Sequence, residues 1–513
     1  MRVASRRSVY LAAGAAYLAV GAAGLVGALL LATVVLAPGS GRSRPRPAAL
    51  PSVGAGGPTL DQRNLVRTLT GLPGAGAGGG PAVPANPVPA GFGTLDPTFG
   101  TKGTVTNAFP GRQVGASDVA LLDEQSIVAV GGALMNDSPD FAIARYGRNG
   151  ALDPTFGTGG LVITGWPAAQ GANGAQGVAV GSNNRIVVVG TAGLGQGTDI
   201  GVAVAQYRPN GALDPTFGTG GKVITPVSPV GDGGGSAVSI QPDGKIVVVG
   251  GANDQQNNAD FMAVRYLANG AMDTSFGNNG VTLVQLPGGD SSASGVAVQS
   301  NGAIVIAGTA IGPGGAGQEF GIVRLTPGGV LDPTFGAGGI VLEQFQPGQD
   351  KGGAQGVVVG RDGRIVVAGL GETPAGRGAF GLMRLRTDGS LDPTFGTGGK
   401  VLTEFDGESI AIRVLLRADG GMVAVGSAGF PSRIALAGYR ADGNLDPAFG
   451  THGRSVTAIG PASAGTAAVA QSSGNIVVAG TSAAADFRTG GFALARYLGS
   501  AGCKPPTCAV GLG

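Results

Sequence analysis

"ALDPTFGTGG", residues 151–160, sets an aspartate before a proline, a hydroxyl, a phenylalanine and a run of glycines. The stretch returns as "ALDPTFGTGG" at 212–221, "AMDTSFGNNG" at 271–280, "VLDPTFGAGG" at 330–339, "SLDPTFGTGG" at 390–399 and "NLDPAFGTHG" at 444–453, and "TLDPTFGTKG" at 94–103 opens the series. Catalytic groups are needed once, in one pocket, so seven copies point to a task that every unit shares. A carboxylate at the first position of a turn accepts backbone N–H groups two residues on. Proline presets the next φ, and Thr274 replaces it once. This reading gives Asp96, Asp153, Asp214, Asp273, Asp332, Asp392 and Asp446 to turns. It makes Phe99, Phe156, Phe217, Phe276, Phe335, Phe395 and Phe449 apolar anchors between sheets. Calcium is the alternative, but one carboxylate per unit leaves most of roughly 6–8 oxygen ligands unsupplied; no metal is expected.

Four segments of strand length recur around the motif. The first follows it directly ("GKVITPV"), the second is a short apolar stretch ("GVAV"), the third is the clearest ("KIVVVG") and the fourth reads "FMAVRY". They are β-branched or alternating runs bounded by Gly, Asn and Asp. Asp243-Gly244, Asn301-Gly302 and Asp362-Gly363 join segments two and three and supply the positive φ of tight hairpins. Four antiparallel strands recurring every 54 to 61 residues fit propeller blades. The expected fold is all-β, a seven-bladed β-propeller of four-stranded antiparallel blades over residues 92–499. The combination "LDPTFGTGGKV…QPDGKIVVVGG…FMAVRYLANGAMD" resembles the delta-60 repeat family, which implies a propeller and an exported location, and no catalytic residues.

The ends of the chain differ from this body. "MRVASRRS" precedes an uncharged run from Val9 to Ala37, long enough to cross a bilayer; Ser5 to Leu11 also resembles a twin-arginine export signal. Residues 1–37 are therefore expected to form a signal-anchor and transmembrane helix, with cleavage and secretion as the alternative. Arg2, Arg6 and Arg7 before the run are balanced by Arg42, Arg44 and Arg46 after it, so charge leaves the orientation open. The leader favours a body outside the cytoplasm. Residues 38–91, rich in Pro, Gly and Ala, read as a flexible linker. Cys503 and Cys508, in a tail spanning 500–513, could close a small disulfide or stay as thiols. Residues 1–90 carry eight arginines against Asp61, which leaves the remainder mildly acidic and argues against a nucleic-acid partner.

In an antiparallel meander the one-to-two and three-to-four connections emerge on one face, and they are the irregular ones. That face is the candidate binding surface, with Asp137, Asp140, Asp254, Asp260, Asp290, Asp350, Asp406, Glu408 and Asp486 as candidate residues. Solvation of the loops is the plain alternative. Arg145, Arg265, Arg324, Arg384 and Arg496 either pair with the repeated aspartates or serve as solvated edge-strand charges, with Gln206 and Gly438 in the other two units. Trp166 falls where other units have Phe, Val, Leu or Ile, and reads as packing; His452 occupies a loop slot with no catalytic neighbour. No cofactor is expected. The leading function is a non-enzymatic scaffold that is tethered to the membrane and presents loops to a protein or glycan. A polysaccharide hydrolase or lyase, or a structural or adhesive cell-surface protein, are the alternatives.

Overall fold

The computed structural model describes residues 91–499, apart from 110–112, 125, 136–137, 167–173, 195–198, 316 and 484–489. The leader, nearly all of the linker and the cysteine tail lie outside these residues, and so do Asp137 and Asp486. Among the described residues no helix is long and apolar enough to cross a membrane.

The strands form seven antiparallel four-stranded sheets, the blades of a propeller. Blade 1 runs Gln113–Leu121, Ile127–Met135, Ser138–Tyr146 and Leu161–Thr164, from the axis outward. The first strands of blades 2 to 7 are Gly174–Val180, Gly233–Ile240, Ser291–Val298, Gly353–Val359, Ser409–Leu416 and Ser463–Ala470. Neighbouring first strands pack against one another around the ring, so the second sequence segment is innermost. The first segment is outermost and belongs to the preceding blade, which offsets each repeat by one strand from each sheet. Blade 7 therefore closes with the earliest of the described strands, Thr104–Asn107, paired to Gly490–Tyr497.

Burial follows from this order. Second and third strands lie between two neighbouring sheets and are buried on both faces, as in Ile246–Asn253, which explains their continuous apolar runs. The inner strands alternate, and the outer ones stop at four residues, a length that limits edge-to-edge pairing. Seven hydrophobic clusters, each with one motif phenylalanine, fill the seven blade interfaces. All seven phenylalanines are 0 % exposed, as anchors must be.

A β-bulge interrupts every inner strand at the same place, at Ser117 in blade 1 and Ser294 in blade 4. Opposite it, the glycine ending segment three has no room for a side chain. A Cβ on Gly308 would collide with the Ser292 carbonyl, and one on Gly369 with that of Gly353. Gly369→Ala should cost about 1–3 kcal/mol through overpacking, read as a lowered urea midpoint.

Candidate functional site

The two faces of the ring are built differently. On one, the turn face, the motif aspartate accepts the N–H and hydroxyl of the residue two further on, at 2.9 and 2.7 Å for Asp153 and Thr155. The same bonds recur at Asp96, Asp214, Asp273, Asp332 and Asp392, while Asp446 takes only the amide of Ala448. The glycine after each phenylalanine sits at φ 51 to 53° and turns its N–H toward the next blade. There it donates to a turn carbonyl at 2.7–2.9 Å, from Gly157 to Asn210 and, across the closure, from Gly450 to Phe92 and Gly100 to Asn149.

The segment-four arginines are buried partners of these aspartates and not solvated edge charges. Arg145–Asp153, Arg265–Asp273, Arg324–Asp332, Arg384–Asp392 and Arg496–Asp96 lie at 2.7–2.9 Å. Each guanidinium covers its motif phenylalanine ring at 4.5–5.1 Å and donates to a carbonyl of the next blade, Arg324 to Thr387 and Arg496 to Arg148. Where blade 2 has Gln206, Arg185 pairs with Asp214 instead; where blade 6 has Gly438, Arg417 pairs with Asp446 at 2.9 Å. Burial pulls the Asp273 carboxyl upward, but Ser275 and Arg265 outweigh it and hold it at about 2. Trp166 is buried against Phe141, in keeping with packing, and His452 occupies a left-handed turn position shared with Lys102 and Asn279.

The opposite, loop face carries the candidate acids, and they divide. Asp254 caps its own hairpin by accepting the Gln256 and Asn258 amides at 2.8 Å, and Asp290 accepts the Ala259 amide at 3.0 Å. Both act on Asp260, so these three come together. Asp260 is 3 % exposed and its Oδ1 has no partner. Burial first, then Asp254 and Asp290, push its carboxyl up to about 6. Glu408 accepts the Gly378 amide at 2.7 Å and pairs with Lys351 at 3.5 Å. Asp140 is half-buried, and Asp350 and Asp406 are exposed. Among the described residues no group of three or more His, Cys, Asp or Glu could hold a metal ion.

Sequence reasoning missed two residues. Glu319 stands where Asp140 and Asp260 stand in their blades, and burial and Glu343 raise its carboxyl; the acid-Phe pairs at 140–141, 260–261 and 319–320 were the available signal. Phe430, 80 % exposed at the tip of the blade 6 loop, stands beside exposed Arg433.

Asp260 gives a signed prediction. Its folded carboxyl binds a proton more tightly than the unfolded one, so stability should fall as pH rises from about 4 through 6 and then level off. Asp260→Asn should therefore add about 1–2 kcal/mol at pH 7.5, below the limit of a two-unit shift because the flanking acids are only half-buried, and nothing at pH 4. Urea midpoints of both proteins at the two pH values check this.

Residues 126–156, 181–217, 241–276, 299–335 and 360–395 match the family described as "Domain of unknown function (DUF5122) beta-propeller". Each match ends on a motif phenylalanine. The two units outside these matches are the one carrying Gly438 and the one divided between the two ends of the described chain. No curated protein matches the chain. Among solved structures it is similar to a protein of unknown function from Dyadobacter fermentans (10 % identity, 77 % of this chain and 99 % of that one, TM-score 0.41). It is also similar to a PL25 ulvan lyase (8 %, 77 % and 96 %, 0.42) and to Drosophila Semaphorin 2a (9 %, 77 % and 75 %, 0.45). Likenesses this distant carry no argument about what the chain binds.

Proposed function

We propose that this propeller is a non-enzymatic scaffold, held outside the cytoplasm, whose variable-loop face takes a protein or glycan ligand. The observation that carries the reading is the division between the faces. On the turn face the motif glycine amides and the paired guanidinium groups are spent on joining blades. The loops opposite vary from blade to blade, leave Asp350, Asp406 and Arg433 exposed, and project Phe430 into solvent. A rigid ring with variable loops is the usual arrangement of a binding surface. The delta-60 resemblance and the basic, apolar leader support export and a membrane tether.

Catalysis by a hydrolase or lyase calls for an acid that substrate can reach, and the two described carboxyls whose protons are held more tightly than usual, Asp260 and Glu319, are both buried. The test is binding of the full chain to a glycan array and to a panel of secreted proteins. The combined variant Phe430→Ala, Asp406→Asn and Asp350→Asn should lose binding about tenfold or more while melting at the wild-type temperature. Binding that is unchanged in the variant, or absent from the wild type, would hand the structural or adhesive reading the advantage. Protease access to intact cells tests the location.

A further inference from the structure

One residue per blade follows the bulge of the inner strand: Asp118, Gly177, Ala237, Gly295, Gly356, Arg413 and Ala467, in ring order. The position faces the next blade at close range. A Cβ on Gly356 would come within 2.6 Å of the Ile412 carbonyl oxygen, and one on Gly295 within 3.1 Å of that of Gln355. Five blades accordingly place Gly or Ala there. The two exceptions are oppositely charged and sit on blades 6 and 1, the two that flank blade 7.

They meet. Arg413 Nη2 donates to Asp118 Oδ1 at 3.2 Å, passing blade 7. Asp118 is itself fixed, because Oδ1 accepts the Val119 amide and Oδ2 the Val178 amide of blade 2, both at 2.9 Å. The side chains are 23 % and 12 % exposed, so this is not a solvated surface pair. Blade 7 offers only Ala467 at the position, and its bulged Thr466 donates to the Ala116 carbonyl of blade 1 at 2.8 Å.

Blade 7 also has a weakness that no other blade shares. In blades 1 to 6 the third and outer strands are joined by the motif connection; in blade 7 the outer strand comes from the N-terminal side of the described chain and is held to Gly490–Tyr497 without that covalent link. We propose that the Asp118–Arg413 pair is a strap that fixes the spacing of blades 6 and 1 across blade 7, so that the ring stays shut when the N-terminal strand Thr104–Asn107 detaches. Without the strap, outward movement of blade 7 is opposed only by its own packing and its hydrogen bonds to the two neighbouring blades, and detachment of its outer strand becomes ring opening.

Hydrogen exchange of the full chain tests this at the amides of Thr104–Asn107 and Ser463–Ala470. Asp118→Asn removes the charge and leaves one amide oxygen to accept one of the two backbone amides; Arg413→Gln removes the other charge and leaves both amide contacts of Asp118 in place. Each single variant should exchange about tenfold faster in both strands, and the double variant no faster than either single one, the non-additivity of one shared interaction. Arg413→Lys, which retains the charge and serves if Arg413→Gln does not fold, should stay within about twofold to threefold of wild type, since a monodentate contact suits either cation. Acceleration confined to residues around 118 and 413 with the two strands unchanged, additive effects in the double variant, or a lysine variant as fast as the glutamine one would overturn the proposal.

Discussion

A chain that starts at residue 108 is expected to lose cooperative folding, whereas one that starts at residue 91 melts like the full protein. The seventeen residues between those points hold Phe99, 0 % exposed, and the four-residue strand that closes blade 7. They also hold Asp96, whose carboxylate meets Arg496 at 2.9 Å. Deleting a buried phenylalanine side chain costs about 3–5 kcal/mol. Stranding a buried guanidinium costs about as much again. Together they approach or exceed the roughly 5–15 kcal/mol that holds a typical domain folded. The loss spreads because the Gly100 amide, which joins blade 7 to blade 1, goes with them. Thermal unfolding followed by far-ultraviolet circular dichroism, with size-exclusion chromatography, reads the outcome.

Arg324→Leu should be among the most damaging single substitutions of the motif partners, with Arg145→Leu and Arg496→Leu, at about 3–5 kcal/mol, because it removes one half of a largely buried ion pair. Its Nε holds Asp332 at 2.8 Å, its Nη2 reaches the Thr334 hydroxyl at 3.0 Å, and its Nη1 donates to Thr387 of blade 5. Asp332 has no second cation, unlike Asp273, which keeps Lys245 at 3.5 Å, or Asp392, which keeps Arg364 at 3.2 Å. Arg265→Leu and Arg384→Leu are therefore expected to be milder. The variant also has a pH signature. The Thr334 hydroxyl and amide, and then Arg324, hold the Asp332 carboxyl below its ordinary value of 3.8. A carboxyl depressed in the folded state stabilises fully above about pH 4 and loses that contribution as pH falls through its folded value. Removing Arg324 should flatten part of this acid limb in urea titrations between pH 5 and 2 (from about one unit above the unfolded pKa to about two below it).

The architecture was legible because each level of the sequence agrees with the others. Hairpin dipeptides, continuous apolar third segments and a buried phenylalanine at a fixed place in the unit all demand the same sheet. The phase was not legible. Nothing in "GKVITPV" says whether it begins a sheet or finishes the previous one, so the offset by one strand and the closure by Thr104–Asn107 emerged only from the pairing. The arginines show a second limit. Gln206 and Gly438 look like lost partners, yet the cation is supplied from elsewhere in the chain, by Arg185 and Arg417. The glycine ending "KIVVVG" recurs in every unit, and its necessity depends on a carbonyl across the sheet. On the loop face Asp254 and Asp260 look alike in sequence. A hairpin turns one into a cap and buries the other beside two like charges.

The closure also fixes where the chain enters and leaves. The Gly93 amide donates to the Leu498 carbonyl at 2.9 Å, and the Leu498 amide to that of Thr94 at 2.8 Å, so both strands of traffic pass one spot on the turn face. An affinity tag or fluorescent protein fused just outside either residue would emerge on the side away from the variable loops, and coupling the ring to a sensor chip through that spot leaves those loops open to whatever flows past.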